Sequence, residues 1–265
     1  MTTDSPTPPA MAGISNFREM GGLAAADGST VRHGCLFRSG HLAEATDDDL
    51  AAVAALGIGS IVDLRTPADH TGDGGLDRVP PGVAHHAIPV VDSSGHNAEL
   101  REVIVAGDQA VLDERFGNGR AAQLAGEGVA VMATEPEKIA VFAQVLHHVA
   151  DAAGTPVLWH CSAGKDRAGW AATVIGMALG VPDDALVEHY LLSNAHRPVA
   201  DRIAHYAAKG LDVTAILPFM EVREEYLRAG LAAVDAAWPS REAYLAEAMG
   251  FGPERIEALR AAVLT

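Results

Sequence analysis

The sequence predicts an α/β fold: a central, mostly parallel sheet flanked by helices, with a helical insertion and a helical C-terminal tail. Three patterns predict it. Short apolar runs bounded by turn residues alternate with helical patterns through the first two thirds of the chain, an order that makes the strands parallel by connection. From Asp183 to Leu264 the periodicity is helical throughout. Between these regions, Val157 to Trp170 reads as strand, loop and helix: an apolar run to His160, a small-residue loop holding Gly164, and an apolar helical pattern after Arg167.

Met1 to Gly13 is polar and proline-bearing, with neither a basic start nor an apolar core, and reads as a disordered lead rather than a secretory signal. Val31 to Arg38 reads as a strand. Thr46 with three aspartates behind it is an N-cap and acidic first turn; Leu50, Val53 and Ala54 form the buried stripe, and Gly57 ends the helix. Ser60 to Leu64 is a short buried strand, Gly72 to Gly75 a loop, and Val83 to Val91 a further strand with Pro89 near its end. From Gly95 to Ala133, glycines at 95, 107, 117, 119, 126 and 128 break the chain into two weak amphipathic helices. One carries Leu100, Val103 and Ile104, the other Val111, Leu112 and Phe116. This stretch is either a surface insertion or a lid over the loop. Thr134-Glu135-Pro136-Glu137 is a capping box with proline in the first turn, followed by Ile139, Phe142, Leu146 and Val149 at helical spacing. Ala168 to Leu179 is apolar almost all round and is expected at the centre, with Gly169 and Gly176 allowing close packing. No linker-like stretch divides the 265 residues, so a single domain is expected.

A net charge of −16 argues against nucleic acid and against adsorption on anionic membranes. No uninterrupted apolar stretch reaches a spanning length, so no integral membrane association is expected. The two cysteines, Cys35 and Cys161, lie in different motifs without disulfide-like spacing. That suits a reducing compartment, hence a cytoplasmic location, with export by a signal-free route as the alternative. His85-His86 and His147-His148 are pairs without a metal pattern and read as strand and helix surface, so neither metal nor cofactor is expected. A nucleotide loop fails twice, because its first glycine would fall on Trp159 and its Ser/Thr on Asp166. A dinucleotide fingerprint at Gly72-Asp73-Gly74 lacks its third glycine, the position being Asp77.

The chemistry concentrates in the loop. Cys161 ends the strand, and Arg167 follows after five residues. A loop of that length can curl the N–H groups of Ser162 to Arg167 inward as a nest for an anion. The helix starting near Arg167 aims its dipole into the same concavity, which favours a phosphate dianion and the thiolate form of Cys161. Arg167 can clamp two phosphate oxygens with its planar fork.

His160-Cys161-Ser162-Ala163-Gly164-Lys165-Asp166-Arg167 resembles the signature loop of the cysteine-dependent protein tyrosine phosphatases, and Gly164-Lys165-Asp166-Arg167 resembles the bacterial PtpB-type tyrosine/serine phosphatases in particular. Asn16-Phe17-Arg18-Glu19-Met20-Gly21-Gly22, Phe37-Arg38-Ser39-Gly40-His41-Leu42 and Ile61-Val62-Asp63-Leu64-Arg65 resemble that family's other blocks, in the same order. The resemblance implies a tyrosine-phosphatase-like fold with a two-helix lid at 95–133. It also implies hydrolysis of phosphotyrosine, with phosphoserine, phosphothreonine or phosphoinositides as further substrate classes, and inorganic phosphate as product and ligand.

On this reading Cys161 is the nucleophile, and Ser162, Ala163, Gly164, Lys165, Arg167 and Ala168 hold the phosphoryl group. Cys35, inside a strand, is structural. The leaving oxygen needs a proton, and Asp166 is the first choice, a role the resemblance also implies; the alternative for Asp166 is a brace on loop N–H groups. Asp63, at a strand end, is a second choice, or else a partner for Arg65 or Arg38; Asp92 is a third. Lys165 either binds a second negative group, such as another phosphate on an inositol ring, or is solvated. His160 is expected to hydrogen-bond behind the cysteine. One departure stands out: the position after the arginine is usually Ser or Thr in the family, whose hydroxyl stabilises the departing thiolate, and here it is Ala168. That motivates a rival, a catalytically weak phosphate-binding module. A rhodanese-like sulfurtransferase is a second rival, which the Cys-to-Arg spacing fits less well.

Overall fold

The computed structural model describes residues 9–91, 96–197, 199–208 and 210–265; residues 1–8 of the expected disordered lead, and Asp92, lie outside them. In chain order the first half holds β1 (Arg18–Glu19), β2 (Leu36–Ser39), α1 (Asp47–Ala55), β3 (Ser60–Asp63), α2 (Pro67–Gly72) and β4 (Ala84–Ala87). Then come α3 (His96–Ala106), α4 (Gln109–Phe116), α5 (Arg120–Thr134), α6 (Pro136–Asp151), β5 (Val157–His160) and α7 (Asp166–Leu179). The tail is α8 (Asp183–His196), α9 (Val199–Ala207), α10 (Leu217–Met220), α11 (Glu224–Ala237), α12 (Arg241–Ala243) and α13 (Pro253–Val263).

The five strands lie in the order β1-β2-β5-β3-β4. All pairs are parallel except the edge pair β1–β2. Side chains alternate across a strand, and the alternation divides the core. Leu36, Val62, Val157 and Trp159 face one cluster with α6 and α7, while Phe37, Ile61 and Leu158 face a smaller one with Val53 of α1. Helices therefore cover both faces. The register sets Ser39 and Asp63 on either side of His160, so the C-terminal ends of β2, β5 and β3 are level and Cys161 emerges just beyond them. Crevices at that edge are where open α/β sheets place ligands.

Thr46 caps α1 in a full capping box with Asp49. The same Asp49 carboxylate accepts the N–H groups of Ala12 (2.7 Å) and Gly13 (2.8 Å), so the end of the expected disordered lead is tied down. The capping box expected at Thr134 does not form: Thr134 is the last residue of α5, its hydroxyl donating to the Ala130 carbonyl, and Glu135 begins α6 without a side-chain cap.

The largest difference lies in the insertion. Three helices occupy it, and α5 runs unbroken through Gly126 and Gly128. Packing outweighs the glycine penalty of about 1 kcal/mol each. Val129 and Met132 of α5 join the main core with Tyr226, Leu227 and Leu231 of α11. A side chain at Gly230 of α11 would meet Trp170 and Val129 at 2.8 Å, so the missing Cβ lets these helices meet. The outer part of the insertion has its own apolar cluster: Val103, Leu112, Phe116 and Leu124 pack with Leu211, Val213, Ile216 and Met220. Among the described residues no helix is long and apolar enough to cross a membrane.

Candidate active site

The loop after β5 is shaped from outside by hydrogen-bond donors. His41 N–H donates to the Ser162 carbonyl (3.3 Å), and Asn16 Nδ2 donates to the Ala163 (3.0 Å) and Gly164 (2.9 Å) carbonyls. Arg38 Nη2 donates to the Gly164 and Lys165 carbonyls, both at 2.7 Å. In a trans peptide the C=O and the following N–H point opposite ways. Holding four successive carbonyls outward therefore turns the N–H groups of Ala163, Gly164, Lys165 and Asp166 to the concave side. Among the described residues none of these four N–H groups donates to a protein acceptor. Four N–H donors without a protein acceptor at the start of α7 are the kind of donor set that a nest for an anion needs.

Gly164 permits this path. Its φ is +67°, and a Cβ there would lie 2.6 Å from the Gly40 nitrogen. The donors come from the segments the sequence marks as motifs. Asn16 takes φ +57° and is held in turn by Arg18, whose Nη2 reaches Ser193 Oγ (2.9 Å) and the His189 carbonyl (3.2 Å). Arg38 is fully buried, with its Nε and Nη1 unpartnered among the described residues. Burial lowers its pKa to about 10, against the opposing pull of Cys161, Tyr190 and Asp166.

Cys161 is buried at the base of the loop. Arg167 stands beside it with Nη2 on Ser162 Oγ (3.2 Å) and Nη1 on Asp69 Oδ2 (2.7 Å) and the Leu64 carbonyl (3.3 Å). Burial works against its charge, but the Cys161 sulfur and the Asp69 carboxylate outweigh burial and hold the guanidinium above its ordinary pKa. Asp69 is absent from the residues singled out in sequence. Its readable signal is Thr66-Pro67-Ala68-Asp69, a capping box with proline at the first turn of α2, which does form.

Asp166 opens α7 with its side chain 47% exposed, its Oδ1 accepting from Tyr190 OH (3.1 Å) and its Oδ2 3.5 Å from Lys165 Nζ. Among the described residues it accepts no loop N–H, and it keeps an open side. Lys165 is not the solvated side chain that one sequence reading offered. It is buried, and its ammonium donates to the carbonyls of Phe219 (3.0 Å) and Glu221 (2.9 Å), tying the loop to the segment under the insertion.

Asp63 is buried behind the loop as the partner of Arg65, which donates Nη2 to its Oδ2 (3.1 Å) and Nε to its Oδ1 (3.1 Å); His70 Nε2 adds a contact at 3.0 Å. Ala168 is fully buried in α7, with its carbonyl accepting from Trp159 Nε1 (3.0 Å). Cys35 is buried just before β2, with Arg32 Nε 3.0 Å from its sulfur. His160 lies behind Cys161 as expected, Nδ1 3.4 Å from the Cys161 carbonyl.

Residues 9–265 match the family model described as the tyrosine phosphatase family. A Cupriavidus necator protein named as a candidate tyrosine-protein phosphatase is 35% identical over 244 residues, covering 89% of this chain and 82% of its own. The triple specificity protein phosphatase PtpB of Mycobacterium tuberculosis is 29% identical over 276 residues, covering 95% of this chain and 97% of its own. The crystal structure of TpbA from P. aeruginosa overlaps at a TM-score of 0.34 and 18% identity, covering 72% of this chain and 89% of that one.

Proposed function

Because the chain belongs to the tyrosine phosphatase family, we propose that it hydrolyses phosphate monoesters on proteins through a phosphocysteine at Cys161, without a metal ion. The observation that carries this reading is the set of four inward N–H groups beside a buried cysteine and the Arg167 fork. Cys161 attacks phosphorus and forms the S–P bond as the ester P–O bond breaks; water then hydrolyses the phosphocysteine to inorganic phosphate. The loop N–H groups and Arg167 sit where charge accumulates on the equatorial oxygens and so lower the barrier. Phosphotyrosine is the first substrate class; the name of the mycobacterial relative extends the reading to more than one phosphorylated side chain. The test is turnover of an aryl phosphate with a chelator and a reductant present, together with acid trapping of one phosphoryl group on Cys161. Turnover that the chelator abolishes, or a trapped phosphoryl group elsewhere, overturns the mechanism.

Asp166 is the proton donor to the leaving oxygen in this proposal. It is partly exposed at the loop, whereas Asp63 is enclosed with Arg65. Asp166→Asn is expected to lower kcat about 100-fold on an ester with a poor leaving group and to change little on one whose leaving group needs no proton. Equal losses on both would make Asp166 a loop brace instead.

A weak or inactive phosphate binder remains the second reading, favoured by Ala168. The family hydroxyl at this position would donate to the departing thiolate, and a bond to a charged group contributes about 1.5–3 kcal/mol. Ala168→Thr is therefore expected to raise kcat about tenfold where phosphocysteine hydrolysis limits. The site is fully buried, so the added atoms also cost about 1–3 kcal/mol of stability, visible as a lower Tm. An unchanged or lower kcat in a folded variant would remove the hydroxyl argument. The insertion helices α3 and α4, with their separate apolar cluster, serve in this proposal as a lid that excludes water from the loop.

A further inference from the structure

Asp63, Asp77, His85 and His160 bring one donor atom each to within 4.8 Å of the others, from four separate segments. We propose that this cluster binds a divalent transition-metal cation of the zinc type, at a site behind the phosphate nest that phosphate hydrolysis does not use.

The spacing fits. Asp77 Oδ2 lies 3.0 Å from His160 Nε2 and 3.1 Å from His85 Nε2, and Asp63 Oδ1 lies 3.8 Å from His160 Nε2. Donors bound at about 2.0–2.2 Å around a tetrahedral ion sit roughly 3.3–3.6 Å apart, so small side-chain shifts complete the shell. Two imidazoles and two carboxylates are an oxygen and nitrogen donor set suited to zinc.

His160 points to a cation independently. It is fully buried, and its Nε2 makes no directed hydrogen bond: Asp77 Oδ2 is near but out of line for a ring N–H. Its Nδ1 faces the Cys161 carbonyl at 3.4 Å. With the proton on Nδ1, the Nε2 lone pair faces the carboxylates and can ligate a positive ion held among them. A backbone carbonyl on the far nitrogen is the usual outer support of a metal-bound histidine.

Charge balance agrees. Arg65 is the guanidinium shared by three carboxylates, Asp63 (3.1 Å), Asp73 (3.6 Å) and Asp77 (2.7 Å). With the imidazoles of His70, His85 and His160 neutral, that one positive charge leaves two negative charges in a poorly solvated place, and a divalent cation offsets both. Arg65 and the Leu42 N–H hold Asp77 by Oδ1, leaving Oδ2 toward the histidines. Asp63 offers Oδ1, which also accepts the Arg65 backbone N–H at 2.8 Å and Arg65 Nε at 3.1 Å. His85, on the exposed edge strand β4, provides the entry path.

The test uses the full chain carrying Cys161→Ser, so that no thiolate at 161 competes for metal. Calorimetric titration of the metal-free protein with zinc is expected to give one ion per chain. Adding His85→Ala, a surface change, is expected to weaken binding at least tenfold. Cobalt(II) is expected to show the intense visible bands of a tetrahedral site without a thiolate charge-transfer band. Against aryl phosphate, His85→Ala alone is expected to leave turnover unchanged. Binding that disappears with Cys161→Ser, binding indifferent to His85→Ala, or no stoichiometric binding each overturns the site.

Discussion

Cys161→Ser is expected to lower aryl phosphate turnover by roughly 10⁶-fold while inorganic phosphate still binds. The loss follows from the nucleophile itself. Sulfur is the stronger nucleophile by nature, whereas a serine hydroxyl in the same place needs a base to take its proton before it can attack. Binding should survive because the amide nest is built from outside the side chain at 161, by His41, Asn16 and Arg38. Turnover and phosphate affinity measured on one preparation separate the two effects. Residual turnover within about tenfold of the wild type would remove Cys161 from the mechanism. Loss of phosphate affinity together with turnover would mean that the serine disturbed the loop.

Much of this site is readable in the sequence because its central unit is local. Val157 to Trp170 is one continuous strand, loop and helix, so the places of Cys161 and Arg167 follow from periodicity and spacing alone. The parallel sheet follows in the same way from alternating strand and helix patterns. What sequence spacing does not carry is which distant groups hold the loop. Asn16 and Arg38 stand out as motif positions, but their work is to grip carbonyls at 163, 164 and 165, and only the fold brings them together. Lys165 shows the same limit more sharply. A lysine in a polar loop reads as solvated or ligand-binding, yet two carbonyls at 219 and 221 accept its ammonium and account for its burial. Gly126 and Gly128 fail for a related reason. Glycine is a helix breaker by local propensity, and the contact of α5 with α11 overrides that cost.

Arg167→Lys is expected to lower kcat/KM by about 10³-fold although the positive charge is kept. The guanidinium already divides its donors between two directions: Nη1 is fixed by Asp69 and the Leu64 carbonyl, and Nη2 rests on Ser162 Oγ. Asp69 is itself locked as the third residue of a capped helix, so the plane of the fork is set before substrate arrives. When a phosphoryl group enters, two parallel donors can meet two of its equatorial oxygens without reorganisation. Lysine offers one ammonium on a flexible stem, which can satisfy Asp69 or the phosphoryl group but cannot reproduce the fork. The distinction is greatest in the transition state, where the three equatorial oxygens spread into a plane. Affinity for vanadate, which adopts that five-coordinate geometry, is therefore expected to fall by about the same factor as kcat/KM, and affinity for phosphate by much less. Parallel losses for both anions would mean that Arg167 contributes charge alone and that the geometry set by Asp69 carries no catalytic weight.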